Sequence, residues 1–295
     1  MKDKIILKVE TAGTRVDAYL ASCLKEYSRG YFQRLIDMGH VLVNSQKTAS
    51  SCRLKEGDEI EIIIVNKENK IKPENIPLEI VYEDKDIIVV NKRPGLVVHP
   101  ACGHPEGTLV NALAGHFKGK FVPYLVHRLD KDTSGVMVVA KNEKVKASLV
   151  KQFQNRTISK EYIAAVGGNV SENEGRIEAP LGRSHQDRRK IVVGPLAKKM
   201  AITEFKVLSR HSGYTVVAAH PITGRTHQIR SHFAFIGHPV LGDETYGGPL
   251  KIGEKSFERQ FLHAHKLSFT HPSKAKKVEF SAKLPKDMAW LSKKH

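Results

Sequence analysis

The sequence predicts an α+β fold: a small α/β N-terminal domain, then a larger domain built on a largely antiparallel mixed sheet with flanking helices. Three observations carry this. From Ile76 onward the pattern is strand-rich. Helical stripes interleave with those strands without a regular β-α-β beat, which argues against a doubly wound sheet. A polar stretch over 65–75, charged, carrying Pro73 and with almost nothing to bury, separates residues 13–64 from 76–295 and reads as a linker.

The elements follow in order. Val16, Leu20 and Leu24 mark one face of a short helix with Asp17 near its start. Ser28 caps a second helix, whose stripe of Tyr31, Phe32, Leu35 and Ile36 stops near Gly39. Strands are expected at Val41 to Asn44 and, after the turn Lys55 to Asp58, at Glu59 to Ile63. Beyond the linker, Ile80 to Tyr82 and Ile87 to Asn91 flank a charged turn, as in a hairpin. Helices are expected at Leu109 to His116 and Val145 to Asn155. Further strands are expected at Val136 to Ala140, Tyr162 to Val166, Ala201 to Ser209, Tyr214 to His220 and Lys277 to Ser281. The lone tryptophan, Trp290, is expected to pack the C-terminus onto a domain.

Charge narrows the function classes. In 295 residues, 48 lysines and arginines oppose 31 acids, a formal net charge of +17. Such a surplus attracts a polyanion by releasing its counterions, so nucleic acid is the first partner to consider and an anionic membrane surface the second. Cys23, Cys52 and Cys102 are far apart and form no C-x-x-C pair, so neither a disulfide framework nor a cysteine–zinc site is expected. The first ten residues carry charges and no apolar h-region, and the apolar runs have strand length, so the cytoplasm is the expected location. No G-x-G-x-x-G or P-loop is present, so no nucleotide cofactor held by such a loop is indicated. The histidine pairs His227/His232 and His263/His265 match no standard zinc spacing, and no metal is expected.

Two stretches carry chemistry. In His127-Arg128-Leu129-Asp130-Lys131-Asp132-Thr133-Ser134-Gly135, a charged, turn-prone loop runs into an apolar strand, a rigid place to present a carboxylate. On the residues alone, a purely structural loop with an ion pair fits as well. Gly224-Arg225-Thr226-His227-Gln228-Ile229-Arg230-Ser231-His232 starts at a glycine and continues as a helix to about Gly237. Arg225, Thr226 and Gln228 are candidate phosphate contacts, and Arg230 has the reach to pair with a carboxylate from elsewhere. A solvated basic helix face is the alternative. The basic run from Arg183 to Lys190 is another candidate RNA contact.

The first stretch resembles the signature of the RluA-type pseudouridine synthases, H-R-L-D-x-x-T-S/T-G, at every fixed position. The second, with Gly237-His238-Pro239-Val240-Leu241-Gly242-Asp243, is similar to that family's later G-R-T/S-H-Q-I/L-R-x-H motif and its H-P-I-x-G-D tail. Lys160-Glu161-Tyr162 looks like its K-x-Y block. Asn91 to Pro100 resembles its N-K-P-x-G-L-x-V-x-P block, with Arg93 inserted after the lysine. Arg15-Val16-Asp17, Ser28-Arg29, Gly39-x-Val41-x-Val43-Asn44 and Gly57-Asp58 resemble an S4-like RNA-binding domain, in which Arg15, Arg29, Arg34 and Lys47 match phosphate contacts.

The resemblance implies an RNA pseudouridine synthase working without a cofactor, since uridine and pseudouridine differ in neither atoms nor oxidation state. Asp130 matches the catalytic aspartate, acting at C1′ as a nucleophile or removing a sugar proton to give a glycal; both stay open. Arg230 matches its basic partner, which would keep the carboxylate ionised. Tyr162 matches the tyrosine lying against the base. Arg128 matches the arginine that fills the gap left by the flipped base, and His127 belongs to the same substrate-facing loop. The combination resembles the RluD-like branch, which implies large-subunit ribosomal RNA as substrate and partner; a monomer is expected. Alternatives are a tRNA-directed synthase, a non-catalytic RNA-binding ribosome-assembly factor and an RNA methyltransferase with the same N-terminal module.

Overall fold

A computed structural model describes residues 3–25, 27–64, 71–100, 104–118, 120–184, 186–187, 190–194, 197 and 199–292. The chain forms two units, Met1–Lys70 and Ile71–His295. The expected linker over 65–75 lies partly outside the described residues. Its later part joins the second unit, where the Asn111 side chain donates to the Lys72 carbonyl at 2.9 Å.

In the first unit, strand β1 (Asp3–Lys8) precedes helices α1 (Val16–Cys23) and α2 (Arg29–Asp37). Strands β2 (Val41–Val43), β3 (Gln46–Lys47) and β4 (Glu59–Ile64) complete an antiparallel sheet of order β1-β4-β2-β3. Ser28 caps α2 by accepting from the Tyr31 amide. Val16, Leu20, Phe32, Leu35 and Ile36 pack on Ile60 and Ile62, so two apolar helix faces close one side of the sheet. β1 has no counterpart in the expected elements; its pairing with β4 supplies it.

Asp17 is not merely an acid in a first helical turn. It is 0% exposed, and the forks of Arg15 and Arg29 both close on its carboxylate at 3.0–3.1 Å, with the Gln33 amide at 2.7 Å. Burial works against its charge, but these hydrogen bonds outweigh burial and hold the carboxyl well below the usual range. A depressed carboxyl contributes stability that is complete above its unfolded pKa, about 3.9, and is lost as pH falls further. We expect hydrogen exchange at Leu20 and Ile60 to quicken below about pH 4. Asp17→Asn should raise exchange there already at neutral pH and flatten the acid dependence. Unchanged exchange would remove the role.

The second unit opens with the hairpin β5 (Glu79–Glu83) and β6 (Ile87–Lys92), then helix α3 (Leu109–His116), β7 (Tyr124–Leu125), β8 (Ser134–Ala140) and helix α4 (Glu143–Gln154). β9 (Ser159–Gly167), β10 (Glu174–Arg183), β11 (Ile191–Val193), β12 (Lys199–His211) and β13 (Tyr214–Pro221) follow. Helix α5 (Gln228–Phe235), the short hairpin β14 (Lys251–Ile252) and β15 (Lys255–Ser256), β16 (Leu262–Thr270) and β17 (Lys277–Ser281) end the unit. The large sheet runs β11-β10-β12-β13-β9-β16-β8-β6-β5, with β17 on β16 and β7 on β8; among the described residues only β16 and β8 pair in parallel.

The expected α+β class is therefore the observed one. Strand alternation explains its layers. Ala164 and Val166 of β9 face Ile229 and Phe233 of α5, whereas Ile163 and Ala165 face Leu241, Phe261, Met288 and Leu291 on the opposite side. Trp290 packs into that second cluster, as expected. Leu109 and Leu113 of α3, with Val145 and Leu149 of α4, cover β6 and β8. Gly135, at φ +121, lies where β8 crosses β16, and a Cβ there would collide with the Ala264 backbone. The glycine closing the first motif is thus required by a strand crossing beside the loop it ends.

Candidate active site

The segment between β7 and β8 carries Asp130, and the segment between β13 and α5 runs through Thr223 to His227. Together with α4's C-terminal turn and β9 they line a cavity of about 450 Å³, within the range of small-molecule sites, roughly 300–1,000 Å³. His127, Arg128, Asp130, Tyr162, Arg225, Thr226, Gln228 and Arg230 all line it, so the two motifs meet in space although Asp130 and Arg230 are 100 residues apart.

The Asp130 loop is gripped from several sides. Lys92 is 1% exposed, and its ammonium donates to the carbonyls of Arg93, Leu96 and Lys131 at 2.8–3.0 Å. Burial pulls its pKa down to about 7 against the opposing fields of Asp132 and Asp130. Arg259 donates to the Asp132 carbonyl at 3.0 Å, and Gln260 to the Thr133 hydroxyl. Asp132, the second acid of the motif, takes part here through its main chain. His127 Nε2 accepts from the Val138 amide at 3.0 Å, and its ring stacks on Phe153. Burial, then the Lys160 charge, holds that imidazole neutral, with its pKa down to about 3. The ring orders the loop.

Asp130 stays partly open to the cavity, its side chain 20% exposed, and accepts from Arg230 Nη1 at 3.2 Å. Arg230 spends its fork elsewhere: Nε and Nη2 both reach Asp243, which is 1% exposed, the second at 2.8 Å. Burial disfavours the guanidinium, yet Asp243 first and Asp130 second more than offset that and hold its pKa above the ordinary value. Such a bidentate pair fixes the plane of the guanidinium and aims its third nitrogen. Tyr246 lies under it, 5.1 Å from ring centroid to guanidinium carbon.

Tyr246 also reaches His227. The tyrosine oxygen accepts from the Ile191 amide at 2.9 Å and is hydrogen-bonded to His227 Nδ1 at 3.0 Å, while His227 Nε2 lies 3.9 Å from Asp130. Burial pushes the Tyr246 phenol up to about 12, so this hydroxyl keeps its proton. His227 itself sits at φ +53, a left-handed residue opening α5. The helix therefore begins three residues later than Arg225, and Gly224 to Thr226 lie outside it in a wall of the cavity.

Residues 86–235 match the model of the RNA pseudouridylate synthase family, and residues 14–60 match that of the S4 domain. The chain belongs to the RNA pseudouridylate synthase family. It is 42% identical to the RNA pseudouridine synthase YlyB of Bacillus subtilis over 96% of this chain and 94% of the relative. It is 41% identical to the ribosomal large subunit pseudouridine synthase D of Haemophilus influenzae over 96% of this chain and 91% of the relative. The solved structure of human RNA pseudouridylate synthase domain containing 1 aligns with a TM-score of 0.59 and 31% identity, over 71% of this chain and 84% of that one. The protein is an RNA pseudouridine synthase with an S4 domain.

The synthase places its sequence-predicted residues unevenly. Gln228, expected to grip phosphate, is 4% exposed and committed inward: its amide donates to the Ile202 carbonyl and Thr203 hydroxyl, and its oxygen accepts from Thr223 and the Arg225 amide. That expectation is corrected; an amide with no unspent polar atom shapes the cavity wall instead. Arg15 and Arg29, expected at phosphates, turn their forks onto Asp17. Arg34 and Lys47 are exposed. Arg183 is exposed at the end of β10 and is not among the cavity residues; the run after it lies partly outside the described residues. Asp243 and Tyr246 are functional residues beyond the expected set, although Asp243 stands in the quoted H-P-V-L-G-D tail. A charged residue ending an apolar tail was the available signal.

Asp84, Asp86 and His271 bring potential metal ligands within 4.8 Å of one another. His271 Nδ1 accepts the amides of Ser273 and Lys274, so its Nε2 carries hydrogen toward Asp84, and the Lys274 ammonium lies 3.0 Å from the same carboxylate. The cluster supplies its own cation.

Proposed function

We propose that Asp130 is the carboxylate that acts on the ribose and that large-subunit ribosomal RNA is the substrate. One observation carries the first part: Asp130 is the carboxylate that opens into the cavity while an arginine locked in a buried fork holds it. The reaction must break the bond from C1′ to N1, rotate the uracil and join C1′ to C5, with the C5 proton leaving at the end. A carboxylate can start this by attacking C1′ or by removing a ribose proton. In either case the nucleotide leaves its stack, at a cost of a few kcal/mol. Relatives named for the large ribosomal subunit, about 41% identical over nearly the whole chain, support the second part. The net charge of +17 suits a large, structured polyanion.

Incubating the synthase with large-subunit rRNA and with tRNA transcripts, followed by chemical mapping of pseudouridine, tests the substrate. We expect modification at discrete large-subunit positions. Modification confined to tRNA would overturn it.

Tyr162 lines the same cavity, and burial, then the Asp130 charge, raises its phenol above the ordinary value. It meets the substrate as a neutral hydroxyl on a stacking ring. Tyr162→Phe should bind RNA normally and slow single turnover by about 10²–10⁴-fold, the span for a group that handles a proton. A wild-type rate would leave only the ring with a role.

A further inference from the structure

The cavity holds two cations to which the reaction assigns no task. Arg156 follows α4, whose C-cap is Asn155, and its backbone is left-handed at φ +58. The Arg156 amide donates to the Phe153 carbonyl and the Thr157 amide to that of Gln152, the paired bonds of a helix-ending turn whose left-handed position ordinarily holds glycine. Here it holds an exposed arginine that lines the cavity. Lys160 lies on β9, two residues before Tyr162 and so on the same strand face, and also lines the cavity. Its ammonium makes one hydrogen bond, to the Thr223 carbonyl at 3.0 Å, which leaves two donors unspent.

Among the described residues no carboxylate pairs with either cation, whereas Arg15, Arg29, Arg176, Arg230 and Arg259 each have at least one. The two also oppose each other: burial first, and then the Arg156 charge, pull Lys160 down to about 8. Two like charges placed together beside a cavity, with no carboxylate partner among the described residues, suit an anion from outside.

We propose that Arg156 and Lys160 seat a backbone phosphate flanking the extruded nucleotide. Two residues along a strand is roughly 7 Å, so a phosphate held at Lys160 stays within one nucleotide of a base lying on Tyr162. The arginine fork supplies planar recognition of the phosphate, and the lysine a point charge. This rests on the reading of Asp130 as the group that acts on the ribose.

The left-handed position gives a test free of folding artefacts. Arg156→Gly restores the preferred residue, so its thermal midpoint should not fall. Its KM should nevertheless rise roughly tenfold or more on an rRNA fragment containing a mapped target uridine, the usual size of a charge-assisted contact. On the same fragment with a neutral methylphosphonate at one of the two phosphates flanking that uridine, wild type and variant should have equal KM. Lys160→Met should show the same convergence, and Lys160→Arg should recover most of the loss. An unchanged KM for Arg156→Gly would overturn the proposal. So would a penalty that persists with either flanking phosphate neutralised. An active Asp130→Asn on that fragment would sink the ribose assignment separately, while the methylphosphonate comparison still decides the phosphate seat.

Discussion

Asp130→Asn should abolish pseudouridine formation, with a fall of at least about 10⁴-fold in single turnover, the scale seen when a reacting group is removed. The amide keeps the shape of the carboxylate but can neither attack C1′ nor take a ribose proton. The fold should not suffer. Arg230 remains anchored by its fork to Asp243, and the loop remains tied by Lys92, Arg259 and Gln260. RNA affinity and thermal midpoint should therefore stay near wild type. Activity within tenfold of wild type would show that another group does the chemistry.

Asp243→Asn should do different damage. It removes the negative charge from a pair in which Asp243 is 1% exposed and the Arg230 side chain 7%. Breaking one partner of such a pair costs about 3–5 kcal/mol, because the other charge stays buried with only the partly exposed Asp130 to offset it. At roughly 2–4 °C per kcal/mol for a unit of this size, the midpoint should drop by roughly 6–20 °C. Activity should fall at temperatures where the variant is still folded, because the guanidinium that holds Asp130 loses its fixed plane. The two variants thus separate: one inactive and stable, the other unstable and slow. A midpoint unchanged in Asp243→Asn would mean that the fork contributes no net stability.

Elements with clean local signals were legible. α3 at Leu109–His116 and β17 at Lys277–Ser281 lie where the pattern puts them. β10 was not foreseen, because Gly175, Pro180 and Gly182 interrupt it; its alternation of Ile177, Ala179 and Leu181 points into the core all the same. β16 has no counterpart among the expected strands, because His263, His265 and Lys266 break its apolar pattern, yet it lies between β9 and β8. Its neighbours satisfy what its own residues do not announce. Ser134 bonds His263 Nδ1, and the Ala282 carbonyl meets His263 Nε2 and His265 Nδ1.

The sequence by itself determined the chemistry on offer: an acid in a turn before a buried strand, an arginine in a later helix and a tyrosine on a strand, in an order that matches one family. Motifs are local, so they name a side chain and its neighbours along the chain. Tertiary structure alone decided which polar groups are spent. It turned Gln228 inward, closed Arg15 and Arg29 on Asp17, and chose Asp243 as the anchor of Arg230. Among the described residues it also left Arg156 and Lys160 without a carboxylate partner. Whether a charge is free or satisfied depends on partners brought together only by folding, because burial makes every unpaired polar atom costly and pairing removes it from use.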